Sequence, residues 1–271
     1  MITTESITSY IEGLTGHPLN RDEGVQHGSA QREVRRVLVS WMATADALSY
    51  AGKEGFDLFL AHESLYYPYD AYIRQDNPAG WENWRTNRQR RELLERHDLV
   101  LLRAHGSLDE VCIFDDFAAL LGLGSPAQAK GLPPIAPFGG LAKVYEIEPC
   151  PLAELVTRVK ERLKMPALRV SAPQGMGQIV HRIGPPWGGL GLFVNVGYQQ
   201  QVIELGCDVL IAGESDDYGF RFSAECGIPM IETGHEISEN PGLEHFSRML
   251  QKHFPQIAVG FYECQPSWEM A

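Results

Sequence analysis

GFDLFLAHES (residues 55–64) recurs as GCDVLIAGES at residues 206–215. Both stretches open on glycine, carry an aspartate two residues later, continue as an apolar run and close on Glu-Ser. A short apolar run bounded by turn-forming residues reads as a strand buried on both faces. A second matched pair follows. Each copy is trailed by another apolar run, residues 99–102 and 228–231. Each run leads to a histidine four residues ahead of a carboxylate, His105 with Asp109 and His235 with Glu239. The chain therefore reads as a duplicated α/β unit whose strand ends carry residue types that bind metals.

Outward from these stretches, strands and helices alternate. In the first half, strands are expected at residues 34–40, 57–61 and 99–104, with helices at 43–53, 88–97 and 114–121. In the second half, strands are expected at 142–147, 168–171, 178–183, 208–212, 228–232 and 257–262. Its helices are expected at 151–164, 197–205, 220–226 and 243–254. The N-terminal stretch MITTESITSYIEGL (residues 1–14) reads as a short amphipathic helix, with Ile7, Tyr10, Ile11 and Leu14 at helical spacing. Alternation of this kind implies layered α/β architecture, in which ligands gather beyond the carboxyl ends of strands. A Gly/Pro-rich connection at residues 126–140 separates a first lobe (1–125) from a second (141–271), and the C-terminal part of the second is able to join the first. The aromatic stretch 66–84 reads either as the mouth of a substrate site or as part of a subunit interface.

Composition narrows the function. The 271 residues hold 44% apolar and 21% charged side chains, enough for a sizeable core in a water-exposed globular chain. No apolar run approaches the ~20 residues of a membrane span, and the N-terminus lacks the basic and apolar regions of a signal peptide. A net charge of −12 argues against binding phosphate backbones of nucleic acids. Five scattered cysteines with no C-x-x-C pair suggest reduced thiols in a cytoplasmic protein.

His62 and Glu63 directly follow the strand at residues 57–61, where both side chains can reach into a crevice as metal ligands. Taken alone, the pair reads more simply as polar residues ending a strand. The second copy has Gly213-Glu214 at the same place, so only one lobe kept the histidine. His235 and Glu239 lie on one face of a helical turn and could grip a single ion; the plainer alternative is a glycine turn with helix capping. His105 and Asp109 repeat that spacing. The segment Pro185-Pro-Trp-Gly-Gly-Leu-Gly191 is either a backbone nest for an anion or, more simply, a turn.

In order along the chain, these motifs resemble the NIF-three-like family of dinuclear-metal proteins, some members of which carry the designation GTP cyclohydrolase type 2. Residues 22–28, DEGVQHG, resemble the family's D-N-x-G-L-Q-x-G, one residue short. Residues 57–64 resemble its DLIIAHHP strand, and residues 105–109 its H-T-x-L-D. Gly213-Glu214 resembles its (S/T)-G-(D/E), and residues 234–239 its G-H-x-x-(S/T)-E. The resemblance implies two similar, intertwined three-layer α/β/α lobes and often a ring-shaped hexamer. It also implies two adjacent divalent metal ions, with His62 and Asp109 on the first, His235 on the second and Glu239 bridging. The chain departs from the family at Glu63, where a second histidine is usual. If Glu63 binds, the second site is richer in oxygen and shifts from zinc towards iron or manganese. If its side chain turns away, one metal binds more tightly than the other.

Two functions follow. The first is a metal-dependent hydrolase acting on a small nucleotide-like, phosphoester or cyclic amide substrate. Its metals would be held by His62, Glu63, Asp109, His235 and Glu239, with His105 orienting a ligand or shuttling a proton. The second is a non-catalytic regulatory or interaction protein, a homo-oligomer whose ions only staple its lobes.

Overall fold

The computed structural model describes residues 1–128 and 143–269. Most of the expected connection at 126–140, and the first residue of the strand expected at 142–147, lie outside the described residues. In chain order the elements begin with α1 (Thr4–Thr15), β1 (Gly24–His27), β2 (Arg36–Ser40), α2 (Ala45–Lys53) and β3 (Leu58–Ala61). Next come α3 (Arg85–Arg96), β4 (Val100–Arg103), the single turn α4 (Gly106–Leu108), a π-helical turn Asp109–Ile113, α5 (Phe114–Leu120) and β5 (Ala127–Gln128). The chain continues with β6 (Lys143–Pro151), α6 (Leu152–Leu163), β7 (Arg169–Ser171), β8 (Ile179–Ile183) and α7 (Val196–Glu204). It closes with β9 (Leu210–Ala212), α8 (Asp217–Glu225), β10 (Met230–Glu232), α9 (His235–His253) and β11 (Ala258–Tyr262).

Two compact units are formed. The first comprises Met1–Cys112 with Gly242–Cys264, and the second Ile113–Pro241 with Gln265–Ala271. In the first unit a five-stranded sheet runs β1-β4-β3-β2-β11. Only β1 is antiparallel to its neighbour; β4, β3, β2 and β11 are parallel, with Ala61 opposite Arg103 and Ser40 opposite Ala61. Leu38, Phe59 and Leu101 pack on Ala47, Leu48 and Ala51 of α2 and on Leu93 and Leu94 of α3. The alternate strand residues Val37, Val39, Leu58 and Leu60 are buried too, so both faces of this sheet are covered. That double coverage explains why residues 37–39, 58–61 and 100–102 of β2, β3 and β4 are continuously apolar rather than alternating.

In the second unit, β9 pairs in parallel with β10, which pairs antiparallel with β7. A second ladder runs β5-β6-β8, and an isolated parallel pairing of Ile183 with Val209 links β8 to β9. Leu155 and Val159 of α6 pack against Val209, Ile211 and Ile231. Leu210 and Met230, one residue out of phase, pack with Val202 of α7. The helix on each side is thus selected by the two-residue alternation of the strands. The two repeated decapeptides end β3 and β9, and each of these strands has a parallel neighbour (β4, β10) that leads into a helical turn bearing the histidine.

Several boundaries differ from expectation, each for a local reason. Helix α8 starts near Asp217 because the Asp216 side chain accepts from the Gly219 N–H and caps it. Helix α9 begins at His235 and runs through Pro241 instead of starting near Leu243. The strand β1 is half polar (GVQH) and sits at the sheet edge, where apolar patterning is weak.

Candidate metal centre

In the first unit the ends of β3 and β4 carry His62, Glu63, His105 and Asp109. The His62 and Glu63 amides continue the ladder onto the Trp41 carbonyl, which fixes where both side chains emerge. His62 is fully buried. Its Nδ1 lies 3.2 Å from the Ala104 carbonyl oxygen, an acceptor only, so Nδ1 carries the proton and Nε2 presents its lone pair. That Nε2 stands 3.8 Å from Oδ1 of the equally buried Asp109. The spacing exceeds a hydrogen bond and falls within the reach of two donors that share one cation at about 2.0–2.2 Å each. Backbone carbonyls that set the tautomer of a liganding imidazole are the usual support of such a ligand. Glu63 is buried as well, and His62, Glu63 and His105 each place a ligand-type atom within 4.8 Å of one another. The side chain of Glu63 therefore faces this cluster.

His105 is held on three sides. Its amide donates to Oε1 of Glu23 at 2.5 Å, and the same carboxylate accepts from the Ser107 amide (2.9 Å) and hydroxyl (2.7 Å). Its Nδ1 donates to Oδ2 of Asp22 at 3.1 Å, and the Tyr69 hydroxyl lies 3.4 Å from its Nε2. Its ring centroid is 4.8 Å from that of His62, edge to face. Beneath them Arg103, 1% exposed, reaches Asp22 (3.1 Å), Asp70 (2.6 Å), the Tyr69 hydroxyl (3.1 Å) and the His62 carbonyl (3.2 Å). A buried guanidinium stripped of a partner costs several kcal/mol, so Arg103 locks the loop that carries Asp22 to the segment that carries Tyr69.

The electrostatics follow these contacts. Burial pushes the Asp22 carboxyl up, but the His105 hydrogen bond and the Arg103 charge outweigh it and bring it down to about 2. Burial disfavours the charged form of His105, yet the Asp22 carboxylate holds its pKa above the ordinary histidine value. The Tyr69 phenol is pushed up, first by burial and then by the charge of Glu63.

In the second unit the first turn of α9 carries His235 and Glu239. Nδ1 of His235 lies 3.0 Å from Oε2 of Glu214, and Nε2 lies 3.0 Å from Oε1 of Glu239. Glu239 is buried, whereas Glu214 is half-exposed. Glu214 thus plays towards His235 the orienting part that the Ala104 carbonyl plays towards His62. Against both side chains lies Gly188. A Cβ there would stand 2.5 Å from Cδ2 and 2.6 Å from Nε2 of His235, and closer still to the Glu239 carboxylate. The ligating edges of this pair are therefore kept clear by a residue without a side chain. Gly213, the counterpart of His62, has the opposite relation to its surroundings: a Cβ would come 2.7 Å from the Gly188 Cα and 2.6 Å from the Ser238 hydroxyl. No side chain fits there, which is the physical reason the repeat is asymmetric.

In both units the donor chemistry suits hard to borderline divalent cations: a buried imidazole of fixed tautomer beside a buried carboxylate in the first, and a half-buried imidazole flanked by two carboxylates in the second. Sequence reasoning overlooked three contributors. Asp22, Glu23 and Glu214 all stand inside family-like motifs, but no spacing rule tied them to His105 or His235. Gly188 was hidden in a segment that reads as a simple turn. Away from these donors, His17 pairs with Glu110 at 3.1 Å.

A family model for DUF34/NIF3, NGG1p interacting factor 3, matches residues 7–267, and the chain belongs to that family. Its curated relatives include the GTP cyclohydrolase 1 type 2 homolog of Pseudomonas aeruginosa, 28% identical over 86% of this chain and 84% of that protein. The protein of the same name from Nostoc sp. is 26% identical over 88% and 84%. Among solved structures, the Bacillus cereus protein related to NIF3 superposes with a TM-score of 0.77, covering 100% of this chain and 99% of that one at 15% identity. The α/β architecture is thus that of NIF3 proteins. Among the described residues, no helix is long and apolar enough to cross a membrane.

Proposed function

We propose that the two donor sets serve one paired metal centre and that the protein is a metal-dependent hydrolase of a small nucleotide-like, phosphoester or cyclic amide substrate. The observation that carries this reading is the pairing of His62 Nε2 with Asp109 Oδ1 at 3.8 Å, with the imidazole tautomer set by Ala104. Following the family likeness, His62 and Asp109 would hold one ion, His235 the other, and Glu239 would be shared between them, with Glu63 as a further oxygen donor. Bound divalent ions would supply a water of lowered pKa and neutralise charge developing on the substrate. Zinc, iron and manganese all suit the donors; the oxygen contributed by Glu63 in place of a histidine favours iron or manganese.

The chain's own residues then divide the remaining work. His105, with Nδ1 tied to Asp22, can hold or deliver a proton at Nε2 within hydrogen-bond reach of the Tyr69 hydroxyl. Glu23 keeps the His105–Ser107 turn in place, and Arg103 keeps Asp22 and Tyr69 at their posts. A hydrolase needs this acid–base pair beside its ligands, whereas ions that merely staple two lobes do not. The reading also takes the protein to be a cytoplasmic homo-oligomer, with a hexameric ring as the family's frequent form.

Elemental analysis of the purified protein beside a His235→Ala/Glu239→Ala variant tests the centre. The variant is expected to lose metal; equal content in both would sink the shared site. A screen of nucleotides, phosphoesters and cyclic amides with added Mn²⁺, Fe²⁺ or Zn²⁺ tests the chemistry, and no turnover of any would favour the regulatory alternative. In Glu63→His, unchanged metal stoichiometry and preference would remove Glu63 from the ligand set.

A further inference from the structure

Helix α6 carries Leu155, Arg158, Val159 and Arg162 at positions i, i+3, i+4 and i+7, so the four share one face. That face borders a recess of about 360 Å³ within the second unit. Facing it are Leu121 and Leu123 from the end of α5, Ile147 from β6 and Ile211 from β9. Leu155, Val159 and Ile211 are buried members of the core that joins α6 to the sheet, so the recess reaches into that core. Sites of this volume hold small ligands, with mostly apolar walls and a few placed polar groups. Gly122 keeps the polar end open: its φ is 73°, and a Cβ there would stand 3.0 Å from Nη2 of Arg162.

That polar end is cationic and incompletely matched. Nε of Arg158 is buried without a hydrogen-bond partner, while its Nη2 is fixed on the Cys150 sulfur at 2.5 Å. Glu154 stands 3.8 Å from the same Nη2, beyond hydrogen-bond distance. A buried donor left open is costly, and an acceptor brought by a ligand would remove that cost. Arg162 is exposed and in no ion pair with a described residue. The lining has one carboxylate, Glu161, against these two guanidiniums, so the rim favours an anion. The walls set the rest of the ligand. A sugar or other polar body would leave its hydroxyls unpaired against leucine and isoleucine, whereas an aliphatic chain is at home there.

We propose that this recess binds a medium-chain aliphatic monocarboxylate, its head accepting from Arg158 Nε and Arg162 and its chain lying on Leu123, Ile147 and Leu155. The inference stands apart from the hydrolase reading, because none of the residues it uses is a candidate metal ligand.

Titration calorimetry on the full-length protein, delipidated before use, tests it with octanoate, hexanoate and methyl octanoate. Octanoate is expected to bind with Kd below about 1 mM. Hexanoate, two methylenes shorter, should bind about tenfold more weakly. Methyl octanoate keeps the chain but not the charge, and should bind at least about tenfold more weakly. Arg162→Gln should weaken octanoate about tenfold and change methyl octanoate by less than about twofold, a split that a general loss of structure would not produce. Leu123→Trp fills the recess and should abolish octanoate binding. Arg162 is exposed and unpaired, so its variant keeps the fold and decides the matter should Leu123→Trp prove unstable. No saturable octanoate binding, methyl octanoate bound as tightly as the acid, equal affinity for hexanoate, or unchanged octanoate binding in either folded variant would each overturn the proposal.

Discussion

Replacing Gly188 with alanine should empty the His235–Glu239 pair of metal while leaving the fold in place. The added methyl would lie 2.5–2.6 Å from the His235 ring and closer to the Glu239 carboxylate, where ordinary contacts are 3.4 Å or more. One of the two side chains must retreat by roughly 1 Å. Ligand distances tolerate only about ±0.2 Å, so the displaced group cannot keep its bond. Displacing even a supporting group commonly lowers metal affinity about 10–100-fold, and the displaced atom here is a proposed ligand itself. The backbone is not the obstacle, because Gly188 is not among the glycines at positive φ. Crowding should cost about 1–3 kcal/mol of stability, measurable but not enough to unfold the protein. Gly189→Ala is the matched control, since its Cβ would meet only Asn195 and Trp187 at 3.2–3.3 Å. The assay is metal content after dialysis, paired with thermal unfolding of the chelated proteins. Wild-type metal content in folded Gly188→Ala would refute the reasoning.

Other outcomes follow from the same contacts. Glu23→Ala removes the acceptor for the His105 and Ser107 amides and the Ser107 hydroxyl, and should cost about 2–4 kcal/mol in urea denaturation; a change below about 0.5 kcal/mol would show the clamp idle. Asp22 has a folded pKa of about 2, below its ordinary 3.8. Its stabilising contribution is full above about pH 4–5 and is lost as pH falls towards 2, a change of about 2 kcal/mol. Asp22→Asn should flatten the acid limb of the stability profile, and an unchanged limb would contradict the shift. Among the thiols Cys226 is exposed, whereas Cys112, Cys150, Cys207 and Cys264 are buried, and burial pushes Cys207 up to about 12. A thiol reagent at neutral pH should therefore titrate one group in the native protein and five in urea, and fast labelling of Cys207 would contradict its placement.

Much of the layering was legible because burial on both faces leaves a strong mark. The apolar runs at residues 58–61, 100–102 and 210–212 could only be strands of a covered sheet, and each is one. The histidine-to-carboxylate spacing was legible because a helical turn brings positions four apart together, as His235 and Glu239 are. What escaped were features defined by long-range approach. Glu23 reaches His105 from 82 residues away, and no periodicity encodes that distance. The π-helical turn starting at Asp109 aims that carboxylate, yet its residues DEVCI carry no helix-type signature. Pro241 within α9 runs against the rule that proline ends helices, so α9 reads from sequence as starting after it.

The contact between Gly188 and Gly213 carries a further implication for how such a chain can change. The backbone of Gly188 occupies the room that a side chain on Gly213 would need, so a substitution at 213 is felt at 188. A larger residue at 213 would drive the 185–191 loop outward, and the space beside His235 would change shape with it. The second repeat therefore could not recover a ligand of its own by one substitution. The candidate ligands of the second half are instead His235 and Glu239, on the helical turn that follows the neighbouring strand, and the 185–191 loop packed on Gly213 borders both.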